Sequence, residues 1–315
     1  MVKYFKTHKF FGLSILLMLI LIGASFFQFY KENFSYVKDY NIIKEACYEK
    51  KNPEHEYCKA FKDEENLEKY IINSDPQKIY EGYDAITLTC TIVEHTIFSA
   101  LQYFSPLIIA IAVIGSLHNI FSSGMFENYL LRIDYKKYLK KIYKTVLGIA
   151  FIMPVSLIII FIISAIVSGF NFNVSEFAKN LGVYSQWKYE NFLLYGFSIC
   201  LLQYLISLLY ANVSLYCCKK NKNKIVAITM SYILFLVIDM IIYIVVYAII
   251  LNNLFGLKEM TDYFNIAGYW FFSDDYKVII PVLIAFILQT VSFIIIYREF
   301  RKKEQVVLAY EKQVS

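Results

Sequence analysis

The sequence predicts an all-α integral membrane protein. It has six transmembrane helices, both chain ends on the cytoplasmic side, and a large helical extracellular loop between the first and second spans. Three observations carry this. The 315 residues are 58% hydrophobic and only 18% charged, with a mean hydropathy of +0.49, more apolar surface than a soluble chain of that length can hide. Six unbroken apolar runs each reach the roughly 20 residues that a helix needs to cross hydrocarbon. Lys and Arg collect in alternate connections, as they do on the cytoplasmic side of a membrane.

The runs are too long and too uniform for barrel strands, which alternate in segments of about 10 residues. Helices satisfy their own backbone hydrogen bonds, so they are the form expected in lipid. No Gly/Ser or Pro-rich linker and no repeat divides the chain. Residues 1–315 are therefore expected to form a single membrane domain.

Residues 1–9, with lysines at positions 3, 6 and 9, lead into the first span, about 10–30. Basic residues before an apolar run, with Gly23, Ala24 and Ser25 after it, also fit a cleavable leader. The run continues through Phe26, Phe27, Phe29 and Tyr30, which favours an uncleaved span.

Residues 31–94 form the outer loop, with 9 Lys against 14 Asp/Glu. The stretch "YNIIKEACYEK" reads as helical. So does "NPEHEYCKAFKDEENLEKYI", with Asn52 as N-cap and Pro53 at the first helical position. Cys47 and Cys58 fall on these two segments, on the oxidising side, so a disulfide closing this short hairpin and two free thiols both stand open. Cys90 lies nearer the membrane. Cys200, Cys217 and Cys218 read as apolar fillers of the fourth span.

The second span is about 96–117 and the third about 145–170. Between them lies the densest basic segment, 118–144, with Arg132, Lys136, Lys137, Lys140, Lys141 and Lys144. Phe126, Tyr129, Leu130 and Ile133 share one helical face. Tyr135, Tyr138, Leu139 and Ile142 share another, out of phase with the first. The shift falls at Asp134, whose short acceptor side chain suits an N-cap. A short helix over about Ile120–Arg132, a break, and a new helix from Asp134 into the third span are expected. The lysines of the new helix can lie along the phosphate layer while their stems cover apolar surface.

The remaining spans are about 191–218, 225–251 and 278–297. With the N-terminus inside, the inner segments hold 18 Lys/Arg against 5 Asp/Glu, and the outer ones 13 against 20. The contrast between "KKNKNK" (219–224) and a near-neutral 171–190 sets the orientation.

Five spans contain no charge. The fifth contains Asp239, in "FLVIDMIIY". A carboxylate at that depth must face protein or water, or be protonated. Two readings stand: it lines a translocation path, or it fixes packing against Asn212, Gln203 or Gln289 on other spans.

The segment "SGMFENYLLRIDYKKYLKKIYK" resembles the loop after the second span of ABC-2 type transporter permeases. In that family a Gly leads a short helix, Leu residues follow, then a basic residue, a break, and a basic aromatic-bearing segment. Gly124, Leu130, Leu131, Arg132, Lys137 and Lys141 fit that order. Phe121 stands where the family often has an acid, and Ile133-Asp134 replaces a Pro-Ser-type break. The six-span layout is similar along nearly the whole chain.

The resemblance implies a multi-pass permease subunit in the cell (plasma) membrane, coupled to a separate ABC ATPase subunit. The coupling helix would carry Gly124, Phe126, Glu127, Tyr129, Leu130 and Arg132, and the basic N-terminus would be an interfacial elbow. Pairing with a second permease, as a homodimer or heterodimer, is implied, with membrane lipids as surroundings and no nucleic acid. ATP would bind the partner subunit. Export is expected over import, since nothing points to a docking system for a binding protein.

No G-x-x-x-x-G-K-[ST] is present. The chain is therefore expected to carry no ATPase site, no catalytic residues and no cofactor. No metal site is expected either. His95 and His118 cap opposite ends of the second span, about 35 Å apart on a helix. "EENLEK" (64–69) lies outside any span, so intramembrane hydrolysis lacks its residues. The competing class is a polytopic membrane sensor, immunity or assembly protein. Its outer loop would bind a ligand and its inner loop would only anchor.

Overall fold

The computed structural model describes residues 9–49, 57–60, 66–68, 71, 84–94, 96–122, 134–173, 190–254 and 279–301. Among these residues there is no strand. Six helices are long and apolar enough to cross a membrane, and this is the architecture of a multi-pass membrane protein.

The first helix, α1 (Lys9–Ile43), does not stop at Tyr30. It runs on without a break into the stretch "YNIIKEACYEK", read from the sequence as a separate helical segment, and widens into a π-helical segment, Lys44–Glu49. Nothing in 31–43 breaks a helix: there is no Pro or Gly, and Asn33 sends its side-chain amide back to Phe29 O at 2.9 Å. This extension takes part in a small lobe. Tyr40, Ile43 and Cys47 pack with Ile71, Tyr40 OH donates to Ile71 O at 3.1 Å, and Cys47 is joined to Cys58.

A second difference lies just before the second span. Ala85–Glu94 is a short helix, α2, whose Ile86, Leu88, Cys90 and Ile92 are buried. Asp84 starts it. Its Oδ1 accepts from Ile86 N at 2.8 Å and Thr87 N at 2.9 Å, and its Oδ2 accepts from Thr87 Oγ1 at 2.6 Å. Three donors around one buried carboxylate satisfy the free amides of a helix start.

The second span is α3 (Thr96–Ser122). Two thirds of its apolar window is buried, against less than a quarter in α1 and in the last two spans. It is the central post, apolar on every side as a surrounded helix should be. Pro106 within it cannot donate to Gln102 O. Ser105 Oγ takes that carbonyl at 2.7 Å instead, so the helix passes through. Ile120–Ser122 continue α3, rather than opening a separate short helix.

The third span is built in two pieces, α4 (Tyr135–Ile149) and α5 (Ile152–Val167), not as one run over 145–170. Pro154 explains the break at Ala150–Phe151. It has no N–H for the carbonyl of Ala150, and its ring crowds that carbonyl. The chain tightens there, with Phe151 N donating to Gly148 O at 3.4 Å. The α5 helix ends with Gly169 and Phe170 both at positive φ and Phe170 N donating to Ala165 O at 2.7 Å. The next carbonyl, of Asn171, accepts from Ala85 N at 2.7 Å, which fixes the start of α2 beside the end of α5.

The last three spans are α6 (Phe192–Lys220), α7 (Lys224–Ile241) and α8 (Ile279–Arg301). Helix α7 continues as a π-helical segment, Ile242–Leu254. The turn between α6 and α7 is short, and Asn223 caps α7 by accepting from Ile225 N at 2.8 Å.

Hydrogen bonds from polar side chains tie the spans together, which matters where the surroundings supply no hydrophobic drive for helix association. Ser14 Oγ donates to Ile108 O at 3.0 Å, joining α1 and α3. Ser214 and Ser231 Oγ lie 2.8 Å apart, joining α6 and α7. Asn212 Nδ2 donates to Gln289 Oε1 at 3.2 Å and Ser292 Oγ at 2.8 Å, joining α6 and α8.

Candidate functional site at the basic end of the bundle

The starts of α1, α4 and α7 and the ends of α3, α6 and α8 meet at one end of the bundle, where the exposed cations are concentrated. The contacts that bring them together are specific. Lys224 Nζ lies 4.3 Å from the centre of the Phe10 ring. Gly115 packs so closely on Phe10 that a Cβ there would collide with the Phe10 side chain. His118 Nε2 is 3.2 Å from Asn221 O. Tyr135 OH donates to Phe300 O.

Lys219 is the most costly of these residues. It is 4% exposed, yet it carries an ammonium. Its Nζ donates to Glu299 O at 2.7 Å and to Glu299 Oε2 at 3.1 Å, and lies 5.0 Å from the Phe300 ring centre. A carbonyl, a carboxylate and an aromatic face replace the water it gave up. Glu299 and Phe300 therefore receive Lys219 from α6 and Tyr135 from α4 on adjacent residues of α8.

These contacts tie together the helix ends on either side of the segment 123–133 in the sequence. Helix α3 leads into that segment just after His118, which is tied to the α6–α7 turn. Helix α4 leads out of it at Tyr135, which is tied to the end of α8. The six residues Gly124, Phe126, Glu127, Tyr129, Leu130 and Arg132 lie outside the described residues, as do the elbow residues 1–8.

Asp134 occupies the N-cap position of α4, but its side chain makes no capping hydrogen bond. Its carbonyl accepts from Tyr138 N at 3.0 Å. The apolar stripe of α4 is buried at Tyr138, Ile142, Val146 and Ile149, with Tyr135 and Leu139 packed beside it. The opposite face exposes Lys136, Lys137, Lys140, Lys141 and Lys144.

Asp239 is half-buried in the last turns of α7. Its carbonyl and that of Ile238 accept from Ile242 N, where the π-helical segment begins. One turn back, Phe235 meets the Tyr210 ring edge-on at 4.3 Å, so Asp239 stands about one turn further from the basic end than Tyr210. Within about another turn of that depth are Gln203 on α6 and Gln102 on α3. Both are 1% exposed, and their amide nitrogens find no hydrogen-bond partner among the described residues. Asn212, by contrast, has its amide occupied by Gln289 and Ser292.

Cys47 and Cys58 sit in the small lobe at the other end of the molecule. Among the described residues, no three His, Cys, Asp or Glu side chains converge as metal ligands.

His118, Asn221, Lys219 and Glu299 were not marked as site residues by sequence reasoning. Lys219 has a visible signal, a cation at the end of an apolar run. The pairing across 80 residues has none.

Comparison with protein-family models, with curated proteins and with solved structures returns no match to this chain.

Proposed function

We propose that this chain is the permease subunit of an ATP-driven exporter of the ABC-2 type, moved by a separate ATPase chain. In this reading the basic end faces the cytoplasm. Residues 123–133 are the handle that the ATPase grips, through Gly124, Phe126, Glu127, Tyr129, Leu130 and Arg132. Two permeases, alike or different, pair with two ATPases in the plasma membrane, and ATP is bound by the partner chains.

One observation supports this reading best: the two ends of the handle are each anchored to other spans, at His118–Asn221 and Tyr135–Phe300. A loop that only oriented the chain in the membrane would need lysines and no such anchoring. Asp239 and the amides of Gln102 and Gln203 supply polar groups at one depth inside the bundle. A path for cargo needs such groups, and lipid-facing helices cannot carry them.

The test is co-purification. Wild-type protein solubilised in mild detergent should bring down an ABC ATPase, and the Tyr129→Ala/Leu130→Ala variant should bring down much less. Wild-type protein that never carries an ATPase would overturn the reading.

The outer lobe favours a second reading. Its own small core and the Cys47–Cys58 bond make it a compact surface suited to ligand recognition. In that case the chain is a membrane sensor, immunity or assembly protein that moves nothing. Loss of function on altering the lobe, with no effect from Tyr129→Ala/Leu130→Ala, would select it.

A further inference from the structure

Helices α6 and α7 meet along one row of side chains. Ser214 Oγ and Ser231 Oγ lie 2.8 Å apart, and the Tyr210 and Phe235 rings meet edge-on at 4.3 Å. These two contacts fix an antiparallel register. On α6 the row continues away from the basic end through Ser207 and Gln203. On α7 it continues through Asp239, one turn after Phe235. The register therefore sets Asp239 level with the space between Ser207 and Gln203. Other faces of α6 look elsewhere: Asn212 and Lys219 bond to α8, and Tyr204 OH donates to Leu147 O on α4 at 3.5 Å.

Direct polar contact stops just where this seam becomes most polar. Gln203 and Ser207 are fully enclosed, yet Gln203 Nε2 and Ser207 Oγ have no hydrogen-bond partner among the described residues. A buried polar group in that position forfeits its hydration and gains nothing in return. The chemistry of the three side chains decides what can fill the gap. The amide N–H of Gln203 repels a cation, and the carboxylate of Asp239 repels an anion. A neutral molecule that both accepts and donates satisfies all three. Water is the smallest of these, and it fits between helices that touch directly one turn away. It can accept from Gln203 Nε2, exchange a hydrogen bond with Ser207 Oγ and donate to Asp239, which gives it the two to four polar partners a buried water needs.

We propose that Gln203 and Ser207 of α6, with Asp239 of α7, form a water-binding site inside the membrane-spanning part of the bundle. The water carries between these residues the bonding that direct contact carries at Ser214–Ser231, and it supplies the carboxyl group of Asp239 with a donor at a depth where lipid offers none. The site does not depend on the exporter reading. It requires only that α6 and α7 cross a membrane side by side.

The experiment is hydroxyl-radical footprinting of full-length protein in lipid nanodiscs. A short X-ray pulse makes radicals from water wherever water sits, and mass spectrometry reads the side chains they oxidise. Tyr210 and Phe235 adjoin the site, and both are 2% exposed. Met18 and Met153 are equally buried on α1 and α5, and a thioether is at least as reactive as an aromatic ring, so they serve as controls. In wild type, Tyr210 and Phe235 should be oxidised several-fold more than the two methionines. Gln203→Leu/Ser207→Ala should bring them down to the control level, with the methionines unchanged and thereby reporting an intact fold. Asp239→Leu, which removes the third partner from the other helix, should lower them as well. The proposal is overturned if wild-type Tyr210 and Phe235 are oxidised no more than Met18 and Met153. It is also overturned if both variants keep the wild-type pattern, because the water would then be held by other groups.

Discussion

Lys219 on α6 reaches both the main-chain carbonyl and the carboxylate of Glu299 on α8, at 2.7 and 3.1 Å. The same α8 turn accepts Tyr135 from α4. This pair therefore lies where the third, fourth and sixth spans are pinned together, beside the exit of the segment 123–133.

Replacing Lys219 with Met keeps the bulk and removes the charge. Glu299 is partly exposed, so its loss of a partner is softened by water. The variant should be destabilised by about 1–2 kcal/mol. Glu299→Gln should cost less, because the carbonyl that Lys219 uses is still present. Thermal unfolding in detergent would rank the two, and equal stability of all three proteins would contradict the role given to the pair.

Gly115 permits the close approach of α1 to α3 at Phe10. Gly115→Val should separate the helices and cost about 1–3 kcal/mol, as overpacking does. The double variant Gly115→Val/Phe10→Gly, which removes the Phe10 Cβ as well as its ring, should recover part of that loss. A double variant no better than the single one would show that the approach is not what Gly115 provides.

The bond between Cys47 and Cys58 closes a short loop on the small lobe. Cys47→Ser/Cys58→Ser should loosen the lobe, with a cost of about 2–3 kcal/mol, and leave the spans intact. Hydrogen exchange should rise around Tyr40 and Ile71 and stay unchanged in α3. A uniform rise throughout the bundle would contradict the separation of lobe and spans.

Asp239→Leu tests the interior polar layer. If the carboxylate lines a path, transport falls while membrane abundance holds. A fall in abundance alone assigns Asp239 to packing.

The six spans were legible because apolar runs of span length leave few alternatives, and the stripe Tyr138–Ile142 was legible from its spacing. The helical reading of "YNIIKEACYEK" agrees with the structure over Tyr40–Glu49, whereas its continuity with α1 through residues 31–39 is hidden by the fall in hydropathy after Tyr30. The break at Ala150 was signalled by Pro154, but an unbroken apolar run hid it. Asp84 with Thr87 ahead of an apolar stretch is a readable N-terminal signal that went unused. His118–Asn221 and Lys219–Glu299 join residues 103 and 80 positions apart. Such pairs depend on how the helices rotate and stack, which a single sequence does not encode locally.

The most direct measurement places a photo-reactive amino acid at Met125 and irradiates growing cells. The account predicts a covalent adduct with an ABC ATPase, lost when Tyr129→Ala/Leu130→Ala is added. Adducts with lipid or extracellular proteins, and none with an ATPase, would contradict it.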